Sequence, residues 1–217
     1  MSNLFTNRLV SQKKYQNRWR NFSAQDNNYE IDSQKYMMNG LAVKPNSLFW
    51  YIKNLEDKIV ISPGIWGTKQ PWANRLITTT QSEHIFTSTF WKNYSTNRCL
   101  IPVLSYFEWQ TQLNGEKHKF KIEFKDKDSY FGGIWGLYPD NTTWVTIVTQ
   151  VANKRTAEIH NFGPNKHRQP IVIGKENQDR WLDPKTNSES EVNHLITQFQ
   201  PEDIITEDLD YEQTLFG

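Results

Sequence analysis

The chain has 217 residues, one cysteine, and nearly balanced charge, with 25 Lys and Arg against 24 Asp and Glu. One cysteine excludes an internal disulfide framework and a cysteine-rich zinc module, and no apolar run approaches the ~18–20 residues of a membrane span. A net charge of +1 gives no global pull toward nucleic acid, so any such affinity has to come from local patches. The opening MSNLFTNRLVSQKK lacks the apolar core of a secretory signal, and the expected location is the reducing cytoplasm. Aromatics make up 14% of the chain, with nine Trp, so an aromatic-rich core is expected.

In chain order, Tyr15, Trp19 and Phe22 recur at helical spacing within residues 8–22. Basic residues surround them, and the first twenty residues contain no acid. This segment reads either as a solvated amphipathic helix or as a phosphate-facing patch. Residues 22–35 are polar and read as a loop. Leu48–Lys53 and Lys58–Ser62 flank residues 54–57 as a hairpin. Residues 63–80, with Pro63, Gly64, Gly67 and Pro71, read as irregular. Glu83–Tyr94 fits a helix, and Arg98–Pro102 a short strand. Leu104–Gln112 and Glu116–Phe124 bracket Asn114-Gly115, the strongest hairpin signal in the chain. Tyr130–Tyr138 and Thr143–Val151 are further strands; Lys175–Leu182 and Ser190–Phe199 read as helices. Residues 201–217 carry six acids and no base and read as an acidic C-terminal tail, lying on the surface or loosely ordered. The whole, residues 1–217, reads as one α+β domain with a curved, barrel-like, mainly antiparallel β-core flanked by helices.

No phosphate loop, dinucleotide fingerprint or HExxH motif is present. His160 and His167 have no carboxylate at ligand spacing, so neither a metal nor another cofactor is expected. Three positions stand out. Glu108 lies in the aromatic strand Tyr106-Phe107-Glu108-Trp109, where burial would make it a general acid or base; it also fits an edge strand facing water. His160 stands where a structured element enters a loop, a place suited to proton transfer or to a structural role. Asn74, in Pro71-Trp72-Ala73-Asn74-Arg75, suits a sugar-phosphate beside a stacking tryptophan, or simply a turn.

The order of the pieces is more specific than any one of them. Ile65-Trp66-Gly67, Pro71-Trp72-Ala73-Asn74, and Arg98-Cys99-Leu100-Ile101-Pro102 leading to Tyr106-Phe107-Glu108-Trp109 come first. Phe131-Gly132-Gly133-Ile134-Trp135, Thr146-Ile147-Val148-Thr149, Ile159-His160-Asn161 and Arg168-Gln169-Pro170-Ile171-Val172-Ile173 follow. Over roughly residues 36–183 this pattern resembles the SOS-response-associated peptidase (SRAP) family. The resemblance implies a positively charged groove that binds single-stranded DNA and crosslinks covalently to abasic sites in the DNA damage response. It also implies self-removal of the initiator methionine, the origin of the peptidase and hydrolase labels. The freed α-amine of residue 2 forms a Schiff base with the abasic aldehyde, and a cysteine thiol closes a stable thiazolidine.

Carried over by position, the resemblance assigns catalytic roles to residue 2, Glu108 and His160, and a DNA contact to Asn74. Arg75, Arg98 and Arg168 become phosphate contacts, and Trp66 and Trp72 stacking platforms. The departures are specific. Residue 2 is Ser2, whose hydroxyl is a far weaker nucleophile than a thiol, so a transient imine or lyase chemistry is expected in place of a stable ring. Cys99 matches the family's buried strand cysteine. The family's phosphate-facing arginine falls on Leu76, unless Arg75 replaces it. The expected partners are single-stranded and abasic DNA, with no membrane and a monomeric state. The alternative is a catalytically inactive binding or protein-interaction module on the same scaffold.

Overall fold

Alternation in Leu48–Leu55 sends Phe49 and Tyr51 to one side and Trp50 and Ile52 to the other, and all four are buried. A strand apolar on both faces has to be covered on both, and this requirement organises the molecule. The computed structural model describes residues 4–26, 28–37, 39–196 and 198–211. The described elements are β1 (Phe5–Asn7), α1 (Gln12–Arg18), β2 (Ser23–Ala24), α2 (Asn28–Tyr36), β3 (Leu41–Val43), β4 (Leu48–Leu55), β5 (Lys58–Trp66) and β6 (Thr79–Gln81). They continue with β7 (Arg98–Thr111), β8 (Lys117–Phe124), β9 (Tyr130–Leu137), β10 (Thr143–Val151), α3 (Lys154–Ile159), β11 (Arg168–Pro170), α4 (Gln178–Leu182), α5 (Glu189–Leu195) and β12 (Ile204–Asp208).

The strands form one sheet, and the bonding within it closes on itself. β10 pairs β5 in parallel, β5 pairs β4, β4 pairs β7, β7 pairs β9, and β9 returns to β10. Phe49 and Tyr51 join Phe5, Trp66, Cys99, Ile101, Phe131 and Val145 in one apolar cluster. Trp50 and Ile52 join a second, with Tyr15, Trp19, Phe22 and Tyr29 from the N-terminal segment and Trp181, Val192 and Leu195 from α4 and α5. The result is a single α+β domain with few helices, all of them short. Among the described residues no helix is long and apolar enough to cross a membrane.

The two hairpins are built by different turns. Glu56 and Asp57 both take positive φ, 50° and 63°, and make the tight two-residue turn between β4 and β5. At Asn114-Gly115 only Gly115 does so, at 87°, and the loop is longer, closed by Gly115 N–H on the Gln112 carbonyl. In β8, Phe120, Ile122 and Phe124 are buried while Lys119, Lys121 and Glu123 face outward, as their alternation predicts.

Four expectations are corrected. Residues 22–35 are not a loop: they hold β2 and most of α2, whose Tyr29 is buried against Trp50. Glu83–Tyr94 is not a helix but two 3-10 turns, Ser82–His84 and Trp91–Tyr94; the Ser88 hydroxyl accepts from the Phe90 and Trp91 amides and interrupts the ladder. Arg98–Thr111 is one continuous strand. The acidic segment is not a loose tail as far as it is described. Ile204–Asp208 pairs antiparallel with β8, where Glu207 stands opposite Lys121, and Asp208 accepts from His118 at 2.7 Å.

The basic front end is spent within the chain. Arg8 and Lys14 both reach Asp128, at 2.5 and 3.0 Å, and Arg18 lies 3.6 Å from Asp179. With Tyr15, Trp19 and Phe22 packed inward, the segment is an amphipathic cover and not a phosphate-facing patch.

Candidate active site

β1 brings the N-terminal segment onto β7. The Asn7 carboxamide donates to the Trp50 and Pro102 carbonyls and accepts from the Trp50 amide, fastening β1 to β4 and β7 together. One step earlier in the chain than β1, the Leu4 carbonyl accepts from the Phe107 amide at 3.1 Å. The described chain thus begins beside Glu108.

Glu108 is 1% exposed, and so is not an edge residue facing water. Its neighbour across the fold is His160, 3% exposed, delivered by α3. The Asn153 side chain accepts from the Thr156 amide and caps that helix. The helix ends at His160, whose backbone N–H donates to the Thr156 carbonyl at 2.7 Å. His160 Nε2 lies 3.8 Å from Glu108 Oε2. On the other side of the ring, Nδ1 is 3.1 Å from the Arg168 carbonyl. A carbonyl only accepts, so Nδ1 carries the proton and Nε2 presents its lone pair toward Glu108. Burial pushes the imidazole pKa down to about 4, which keeps the ring neutral at neutral pH.

The loop after His160 is pinned by a residue to which no separate role was assigned from the sequence. Asn161 donates to the Thr111 carbonyl and accepts from the Thr111 amide, both at 2.9 Å. This two-point clasp ties the histidine loop to the end of the glutamate's own strand. Its only sequence signal was adjacency to His160.

Arg168 connects the pair to a cleft of about 830 Å³. Its carbonyl holds His160, and its side chain lines the cleft with Trp72, Asn74, Arg75, His84 and Thr149. Among the described residues lining the cleft none is a carboxylate. Trp72 is 61% exposed and rests edge-on against Phe90, with ring centroids 5.3 Å apart. Arg75 makes no ion pair among the described residues, whereas Arg168 is held in a two-point pair by Glu83.

Two expected DNA contacts are corrected. Trp66 is fully buried, packs 4.9 Å from Phe5, and donates its indole N–H to the Thr78 carbonyl, so it has no face for a base. Arg98 is 1% exposed; its guanidinium donates to the carbonyls of Ser95, Trp181, Asp183 and Thr186 and is a structural clamp between β7 and α4. Cys99 is buried as its strand position implied, and burial raises its thiol pKa far out of reach of reaction. Ser2 lies outside the described residues. Among the described residues no group of three His, Cys, Asp or Glu side chains is gathered as for a metal ion.

A family model described as SOS response associated peptidase (SRAP) matches residues 6–211. The abasic site processing protein YoqW of Bacillus subtilis (strain 168) is 25% identical over 150 residues, 64% of each chain. YoaM of the same organism, also an abasic site processing protein, is 26% identical over 152 residues, 64% of this chain and 63% of that one. The chain thus matches just under two thirds of the length of these curated relatives. In fold, it is similar to a crystal structure from Bacteroides thetaiotaomicron, with a TM-score of 0.72, 21% identity, and coverage of 96% of this chain and 94% of that one. A Bordetella bronchiseptica structure also reaches 0.72, at 13% identity, covering 96% and 99%.

Proposed function

The chain belongs to the SRAP family, and from that premise we propose that it processes abasic sites in single-stranded DNA through Schiff-base chemistry at the α-amine of Ser2. The observation that carries this reading is the buried Glu108–His160 pair, 3.8 Å apart, at the point where the described chain begins. Chain length alone tethers the Cα of Ser2 to within roughly 7 Å of that of Leu4, whose carbonyl is bonded to Phe107. The names of the relatives YoqW and YoaM support the same substrate.

An α-amine with a pKa of about 8 is partly neutral at physiological pH and attacks the C1′ aldehyde of an opened abasic sugar. The C–N bond forms, the carbonyl oxygen takes a proton, and a carbinolamine results. Loss of that hydroxyl as water, with a proton supplied through Glu108, gives the imine. His160, neutral with its Nε2 lone pair toward Glu108, receives and returns the proton. Asn74 and Arg75 hold the sugar-phosphate, Trp72 stacks a neighbouring base, and the cleft accepts the strand because no carboxylate lines it. Ser2 carries a hydroxyl where the family has a thiol, so the adduct stays an imine open to hydrolysis or strand cleavage.

Ser2 favours one second reading: a protein that grips abasic single-stranded DNA without a lasting bond. Borohydride distinguishes the two, because it reduces an imine to a stable amine. Protein whose intact mass shows Met1 removed is mixed with abasic single-stranded DNA and borohydride. The covalent reading expects a trapped adduct that maps to Ser2; no adduct with DNA binding retained supports the second reading.

A further inference from the structure

Arg168 presents a guanidinium at the cleft with its fork already filled. Nη1 donates to Glu83 Oε1 at 2.9 Å and Nη2 to Glu83 Oε2 at 2.7 Å, while Nη2 also donates to the Thr149 carbonyl at 2.7 Å. The same two-point geometry recognises a phosphodiester, whose two free oxygens sit like those of a carboxylate. We infer that Glu83 is an intramolecular stand-in for a backbone phosphate, and that a nucleic-acid strand entering the cleft has to displace it to reach Arg168.

Three features fit a displaceable occupant. The Arg168 side chain is 13% exposed and fixed by the Thr149 carbonyl, whereas Glu83 is 48% exposed. Glu83 sits on a short 3-10 turn at the rim, beside His84, which lines the cleft. It also borders a neighbouring open concavity of about 430 Å³, lined in part by Asn193 and Glu189, so its carboxylate has room to swing away. The nearby Glu189 carboxylate disfavours that swing and keeps the Arg168-bound position as the resting one. The Arg168 guanidinium holds the Glu83 pKa down at about 2, so protonation does not open the fork near neutral pH. Competition by phosphate does. The contact therefore weakens binding of single strands in general and raises the threshold for engagement.

This inference rests on the proposed function, and the test separates the two. Binding of a labelled abasic-analogue single strand is measured against salt for the full chain, Glu83→Gln, Arg168→Gln and the double variant, with melting temperatures recorded for each. Glu83→Gln is expected to bind about 3- to 10-fold more tightly. Its slope of log K against log salt is expected to steepen by about 0.7, the value for one further phosphate contact on a single strand. In the Arg168→Gln background, Glu83→Gln is expected to change nothing. A gain that persists without Arg168 would mean that Glu83 acts only through its general negative charge, and overturns the inference. Equal binding by the parent and Glu83→Gln overturns it while leaving the proposed function intact. No binding by either overturns both.

Discussion

His160 Nε2 faces Glu108 Oε2 across 3.8 Å, with Nδ1 of the same ring committed to the Arg168 carbonyl. That separation is too long for a direct hydrogen bond. The residues are close enough to share one proton through a substrate atom. Replacing Glu108 by Gln keeps shape and removes the proton carrier. The rate of borohydride-trapped adduct formation is expected to fall by at least about 100-fold, with DNA affinity unchanged. An unaltered trapping rate would remove Glu108 from the chemistry.

Acid stability follows from the same histidine. Its folded pKa, about 4, lies below the usual 6.5 because burial disfavours the charged ring. The unfolded chain therefore binds a proton more readily, and stability present above pH 6.5 is lost as pH falls toward 4. The loss from this one group reaches about 3 kcal/mol. Urea midpoints measured between pH 4 and 7 should show the decline, and His160→Gln should flatten it.

The opposite sign applies at β12. Asp208, as the first cause, raises the His118 pKa above 6.5, so the contact holds below that value and is lost as pH rises through the higher folded value. An NMR titration of His118 should give a pKa above that of a free histidine. Asp208→Asn should return it toward 6.5.

Arg98 and Trp72 separate structure from binding. Arg98→Met leaves four carbonyls without their buried donor and is expected to cost about 3–5 kcal/mol in a denaturation curve. The fraction that stays folded should bind DNA as before. Trp72→Ala should leave stability within about 0.5 kcal/mol, because the ring is mostly exposed. Single-strand affinity should drop about 5- to 100-fold if a base stacks there.

These two residues also mark what the sequence made legible. Strand alternation located β4, β5, β8, β9 and β10 because a period of two is a local property of the chain. The turn at Glu56-Asp57 was local too. Burial was not. Trp66 and Trp72 look alike in sequence, yet one is wedged against Phe5 and the other lies open on Phe90. Arg98 and Arg168 carry the same charge, but only Arg168 reaches the cleft. The ring closes through the parallel contact of β5 with β10, whose partners are some eighty residues apart in the chain, and no short window contains it. Glu108 and His160 were nominated from their surroundings and from the family pattern. Their distance, and the Asn161 clasp on Thr111 that maintains it, came only with the fold.

The central claim is that an amine at residue 2 reacts beside Glu108 and His160, and that Ser2 limits only the permanence of the product. Intact mass spectrometry of Ser2→Cys and the parent, both with Met1 removed and incubated with abasic single-stranded DNA, tests it directly. The account predicts a stable adduct without reductant for Ser2→Cys, and an adduct only with borohydride for the parent. No adduct from Ser2→Cys under either condition would contradict it.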